Sequence, residues 1–99
     1  MLNNDFQPNV EGILKATDAN SRMLFICSPN NPTGNSVSHE KINILLQNFK
    51  GLVVVDEAYI DFSDKKSFLE KLDTHPNLII LQTFSKAWGM AALRLGMCF

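Results

Sequence analysis

Three short apolar runs, Met23–Cys27, Leu52–Val55 and Leu78–Leu81, recur along the chain, and polar or turn-forming residues follow each of them. No other feature constrains the fold as strongly. Leu52-Val53-Val54-Val55 is continuous and β-branched, the pattern of a strand buried on both faces of a parallel sheet. The intervals between the runs are long enough for the crossover connections that parallel strands require. They also carry helical periodicity. Val10, Ile13, Leu14 and Thr17 fall at i, i+3, i+4 and i+7, with Pro8 expected in the first turn. Ser38 is placed to cap a second helix carrying Ile42, Leu45, Leu46 and Phe49 on one face, with Gly51 after it. A weaker helix is expected over 63–72, turning Phe68, Leu69 and Leu72 inward and closed by Pro76.

The order α-β-α-β-α-β predicts an α/β fold, a parallel sheet with flanking helices. Right-handed crossovers then bring the C-terminal ends of the strands to one edge, where open α/β sheets bind ligands. The final residues, Leu95–Phe99, read as a further strand that stops without a turn. Three or four parallel strands leave open edges, so residues 1–99 are expected to be part of a larger domain, truncated at both ends.

Charge and cysteine usage remove several function classes. The net charge is −1 with no block of like charges, so neither a nucleic acid nor an anionic membrane surface is an expected partner. The apolar runs are too short to span a bilayer. Met1-Leu2-Asn3-Asn4-Asp5 has neither the basic start nor the apolar stretch of a secretion signal. Cys27 and Cys98 lie in apolar surroundings outside any CxxC spacing, which predicts two core thiols and a cytoplasmic, reducing setting. His39 and His75 have no partner at metal-ligand spacing, so both are expected at the surface and no metal site is expected.

The chemistry concentrates in the three strand-end groups. Asn30-Asn31-Pro32-Thr33-Gly34 follows the first run, Asp56-Glu57-Ala58-Tyr59 the second, and Thr83-Phe84-Ser85-Lys86 the third, with Arg94 beyond. An amine, a carboxylate, phenolic and amide donors, hydroxyls and a fork-shaped cation are the groups that a pyridoxal-phosphate site requires. Taken singly, each has a plainer reading. Asp56 could cap the following turn, Tyr59 could be a core aromatic, Asn31–Gly34 is an ordinary turn sequence, and an isolated Lys86 would be a solvated charge. Glu57 reads as structural, and Trp88 reads as packing rather than substrate contact.

SPNNPTGN, VVVDEAYIDF and TFSKAWGMAALRLG, in this order and with this lysine-to-arginine spacing, resemble the core motifs of the fold-type-I pyridoxal-phosphate-dependent aminotransferases. Within that family the likeness is strongest to the histidinol-phosphate branch, and it runs from about Pro8 to the end. The resemblance implies pyridoxal 5'-phosphate as cofactor, held by Lys86, which would then move the substrate Cα proton. It implies Asp56 at the ring nitrogen, Asn31 and Tyr59 at the phenolic oxygen, and Thr83, Ser85 and Arg94 at the phosphate. It also implies a cis Asn31–Pro32 bond, a small-molecule amino donor such as histidinol phosphate, a 2-oxo acid such as 2-oxoglutarate, a role in histidine biosynthesis, and a homodimeric parent.

Aromatic or broad-range aminotransferases and threonine-phosphate decarboxylases share these motifs and stay open as alternatives. A P-loop NTPase would also place paired acids after an apolar strand. It further requires GxxxxGK[ST], which this sequence lacks, and leaves Lys86 and Arg94 without a role. The remaining alternative is a segment without activity of its own. The family's other cofactor- and substrate-binding groups lie elsewhere, and the 99 residues alone are expected to be inactive.

Overall fold

The computed structural model describes residues 2–99, so Met1 of the N-terminal stretch lies outside it. Helix α1 (Val10–Ala16) begins where Asn9 accepts the Gly12 amide at 2.9 Å, and it ends at Thr17. Pro8 therefore precedes the helix instead of entering its first turn. The Asn9 side chain supplies the cap, and the Pro8 carbonyl accepts Lys41 Nζ at 3.2 Å. Strand β1 (Met23–Cys27) leads through a polar loop to α2 (His39–Asn48), capped by Ser38. Strand β2 (Leu52–Asp56) follows, then a 3-10 turn over Ile60–Phe62, a 3-10 helix over Phe68–Thr74 and strand β3 (Leu78–Thr83). A last 3-10 turn, Ala91–Leu93, precedes β4 (Gly96–Cys98).

The third expected helix is thus shorter and tighter than its periodicity suggests. Its first amides are bound by side chains, Phe68 N–H by Glu57 at 2.7 Å and Leu69 N–H by Ser67 at 3.0 Å, and the chain turns off at His75 before Pro76. With its first amides held by the Glu57 and Ser67 side chains and the chain turning off at His75, the segment settles into i→i+3 turns over its seven residues. Phe68 is nevertheless buried, with Leu69 and Leu72 packed against the core, as the spacing predicts.

The sheet has the order β1-β2-β3-β4. The first three strands are parallel, with Met23 opposite Leu52 and Val53 opposite Leu78. β4 is antiparallel to β3, with Thr83 opposite Gly96, and this departs from the expectation of parallel strands throughout. The segment between them holds no crossover helix. It folds back on itself through Met90 N–H to Phe84 O at 3.1 Å, so the chain re-enters the sheet from the end at which it left.

Strand alternation sorts the sheet into two different faces. Ile26, Val53, Val55, Leu78 and Ile80 point to the side packed with Ile42, Leu45, Leu46, Phe49 and Phe68. On the other side of β1, Met23 and Phe25 remain 52% and 63% exposed. The described helices therefore cover one face. Cys27 shares the open face with Phe25 and is exposed, and so is Cys98 on β4, which corrects the expectation of two core thiols. Trp88 pairs edge-on with Phe84, at 6.1 Å between centroids, and is 63% exposed, so it is not a packed core residue. His39 and His75 are both half-buried at the surface, and the His39 ring lies 4.3 Å from that of Phe68. No described helix is long and apolar enough to cross a membrane.

Candidate active site

The parallel strands deliver three loops to one edge, and alternation decides which side chains face the open side. Asp56 and Thr83 fall on it with Cys27, whereas Glu57 and Gln82 fall on the helix-covered side. Asp56 Oδ1 accepts the Ala58 amide at 3.0 Å, so the turn-capping role that the sequence left open is present. Its second oxygen has no protein partner among the described residues.

The loop after β1 is held at both ends. Ser28 continues the strand ladder to Asp56 O at 3.0 Å, and its hydroxyl accepts Val37 N–H at 2.9 Å. Within the loop, Gly34 N–H donates to Asn30 O at 2.7 Å, and Gly34 takes a φ of 71°, a conformation in which a side chain would be strained. The Ser28–Pro29 and Asn31–Pro32 bonds are both cis. Asn31 projects from this framework and donates from Nδ2 to Tyr59 Oη at 3.1 Å, joining the first and second loops.

The third loop completes the group. Lys86 Nζ lies 5.2 Å from the centre of the Tyr59 ring. Its approach to the phenolic oxygen, with the Asn31 amide second, holds the Tyr59 phenol below its ordinary pKa. Among the described residues Lys86 forms no salt bridge. The Cys27 thiol is pushed up, first by burial and then by the charge of Asp56 beside it. Cys27, Asn31, Asp56 and Tyr59 line a hollow of about 100 Å³, and a wider cleft of about 690 Å³ opens beyond Asn31 and Tyr59 toward Phe62 and Lys65.

Asn31, Asp56, Tyr59 and Lys86 therefore converge. Thr83 and Ser85 form a second group. Thr83 Oγ1 accepts Ser85 N–H at 3.1 Å and donates to Leu95 O at 3.4 Å. Arg94 is brought near by that same contact, in a left-handed conformation with φ 50°, but its guanidinium donates to Ala91 O at 3.4 Å and reaches neither hydroxyl. Two features escaped the sequence reading. Cys27 borders the hollow, a place implied by its position at the end of β1, opposite Asp56 in the register. Glu57, expected to be structural, is 2% exposed and gathers Ser67, Phe68 and Gln82, none of which a sequence pattern connects to it.

An open α/β sheet with a lysine, a carboxylate and a paired tyrosine and asparagine at one strand edge defines the fold of the fold-type-I pyridoxal-phosphate-dependent transferases. The chain belongs to the aminotransferase class I and II family, whose pattern it matches over residues 2–99. A histidinol-phosphate aminotransferase of Flavobacterium johnsoniae is 63% identical over the whole chain, which spans 28% of that protein's length. The crystal structure of histidinol-phosphate aminotransferase from Sinorhizobium meliloti, in complex with pyridoxal-5'-phosphate, superposes with a TM-score of 0.83 at 32% identity. That match covers 99% of this chain and 28% of the other. L-threonine-O-3-phosphate decarboxylase from Porphyromonas gingivalis gives 0.72 at 28% identity, covering 83% of this chain and 26% of its own.

Proposed function

We propose that the chain is the cofactor-holding middle of the large domain of a pyridoxal-phosphate-dependent aminotransferase, acting on histidinol phosphate and 2-oxoglutarate in histidine biosynthesis. The observation that carries this reading is the convergence of Lys86, Tyr59 and Asn31 beside Asp56 at the C-terminal strand edge. The donor set fits the cofactor. Asp56 has an oxygen without a protein partner for a ring N–H, and Lys86 has an amine without a carboxylate partner among the described residues. The 63% identity to a histidinol-phosphate aminotransferase supports the substrate.

When bound, pyridoxal phosphate supplies a conjugated sink for the electrons left at the substrate Cα. The chain's own residues do the rest. Lys86 Nζ would hold the cofactor at its aldehyde, and the same amine would move the proton at the substrate Cα. The Asp56 carboxylate keeps a proton on the ring nitrogen. Tyr59 Oη, acidified by Lys86 and Asn31, donates to the phenolic oxygen. Thr83, Ser85 and Arg94 hold the phosphate, for which Arg94 must leave the Ala91 carbonyl. Because Lys86 and Arg94 are exposed, the 99 residues alone are proposed to be inactive, lacking the dry surroundings in which fixed charges act strongly. The parent is proposed to be a cytoplasmic homodimer.

The test is turnover by the full-length protein. Histidinol phosphate with 2-oxoglutarate should yield glutamate. Glutamate formed only from aromatic donors would replace the substrate assignment. Carbon dioxide released from threonine phosphate would favour the decarboxylase reading, which the likeness to the Porphyromonas gingivalis enzyme keeps in view.

A further inference from the structure

Glu57 follows Asp56 directly, yet it faces away from the candidate site. It is 2% exposed and carries a carboxylate into the helix-covered face. Three donors meet it there: Ser67 Oγ at 2.6 Å, Phe68 N–H at 2.7 Å and Gln82 Nε2 at 2.9 Å. The backbone adds Glu57 N–H to Leu81 O at 2.8 Å. Gln82 is the residue before Thr83, so the Glu57–Gln82 bond fastens the chain just past the end of β2 to the penultimate residue of β3. Next to it in sequence, on the opposite face, stand Asp56 and Thr83, and Lys86 lies three residues past Thr83. The other two donors, Ser67 and Phe68, tie the start of the 3-10 helix to the same carboxylate.

We propose that Glu57 is a positioning residue: its carboxylate locks the ends of β2 and β3 together and thereby sets Asp56 and Tyr59 relative to Thr83, Ser85 and Lys86. The inference deepens the proposed function and rests on it. Partner chemistry explains why glutamate is needed. Phe68 N–H and Gln82 Nε2 can only donate, and the Ser67 hydroxyl already accepts from both Leu69 N–H at 3.0 Å and Gln82 Nε2 at 3.4 Å. An amide at position 57 would set one NH₂ group against a donor, and a buried group left unmatched is strongly unfavourable. The arrangement is comparable to outer partners that orient metal ligands, whose loss weakens binding about 10- to 100-fold.

The test uses the full-length protein and two readouts. In cofactor-free protein, Glu57→Gln should speed amide exchange at Phe84 and Ser85 relative to the unsubstituted protein. With pyridoxal phosphate added, the same variant should bind it about tenfold more weakly and shift the pH midpoint of the visible absorbance band of the bound cofactor. Gln82→Met, which removes only the cross-strand leg, should reproduce both changes, and it decides the matter if Glu57→Gln fails to fold. The double variant Glu57→Gln with Gln82→Glu restores a carboxylate-amide pair between the strands and should recover the band. A lower melting temperature with unchanged exchange, affinity and pH midpoint would show that Glu57 only stabilises the fold. Faster exchange in a protein whose unsubstituted form takes up no pyridoxal phosphate would leave the clamp standing and overturn both the positioning role and the function it serves.

Discussion

Ile79 and Ile80 are adjacent, identical in type and on opposite faces of the same strand, so the pair tests the one-sided core directly. Ile80 is fully buried among the helix-facing residues, and its backbone is fixed on the β4 side by two bonds to Phe99, at 3.0 and 2.9 Å. Ile79 is half-buried. Ile80→Val removes one methylene whose transfer is worth about 0.8 kcal/mol. The pinned strand cannot collapse onto the space, so a cavity of roughly 25 Å³ adds about 0.6 kcal/mol. The sum is about 1.4 kcal/mol. For Ile79→Val the transfer contribution is roughly halved and no closed cavity forms, which gives about 0.4 kcal/mol. Urea unfolding of the 99-residue chain, with a slope of about 2 kcal/mol/M, should lower the midpoint by about 0.7 M for Ile80→Val and about 0.2 M for Ile79→Val. Equal losses, or a larger loss at Ile79, would refute the assignment of faces.

Two further outcomes follow from single contacts. Tyr59 is the only tyrosine, so ultraviolet titration of the phenol reports on it alone; Lys86→Ala should raise its midpoint toward the ordinary value of about 10, and Asn31→Ala should raise it less. An unchanged midpoint in Lys86→Ala would break the link between these loops. Gly51→Ala would drive a Cβ into the Arg22 carbonyl, whose oxygen accepts Leu52 N–H at 2.9 Å, and should cost on the order of 1–3 kcal/mol in a urea titration.

Much of the frame was readable because it depends on local patterns. The three apolar runs became β1, β2 and β3, and Ser38 with Ile42, Leu45 and Leu46 became a capped helix with that face buried. The loops at the strand ends follow from right-handed crossovers, so Asn31, Asp56, Tyr59 and Lys86 could be grouped before any coordinates. The remainder depends on tertiary context. The direction of β4 was hidden because Gly96–Cys98 reads alike in either sense, and the fold-back at Phe84 and Met90 decides it. Cys27 looked like core because its neighbours are apolar, but the face it shares with Met23 and Phe25 carries no described helix. The Glu57 network joins residues 10 to 25 positions apart through one carboxylate, a relation to which no periodicity points.

The central claim is that Lys86 is the amine that takes the cofactor. Borohydride reduction of the full-length protein with pyridoxal phosphate, followed by peptide mapping, tests it most directly. The account predicts one reduced adduct, on the peptide that contains Lys86, and its loss in Lys86→Ala. Equal labelling of that variant, or an adduct confined to other lysines, would contradict it.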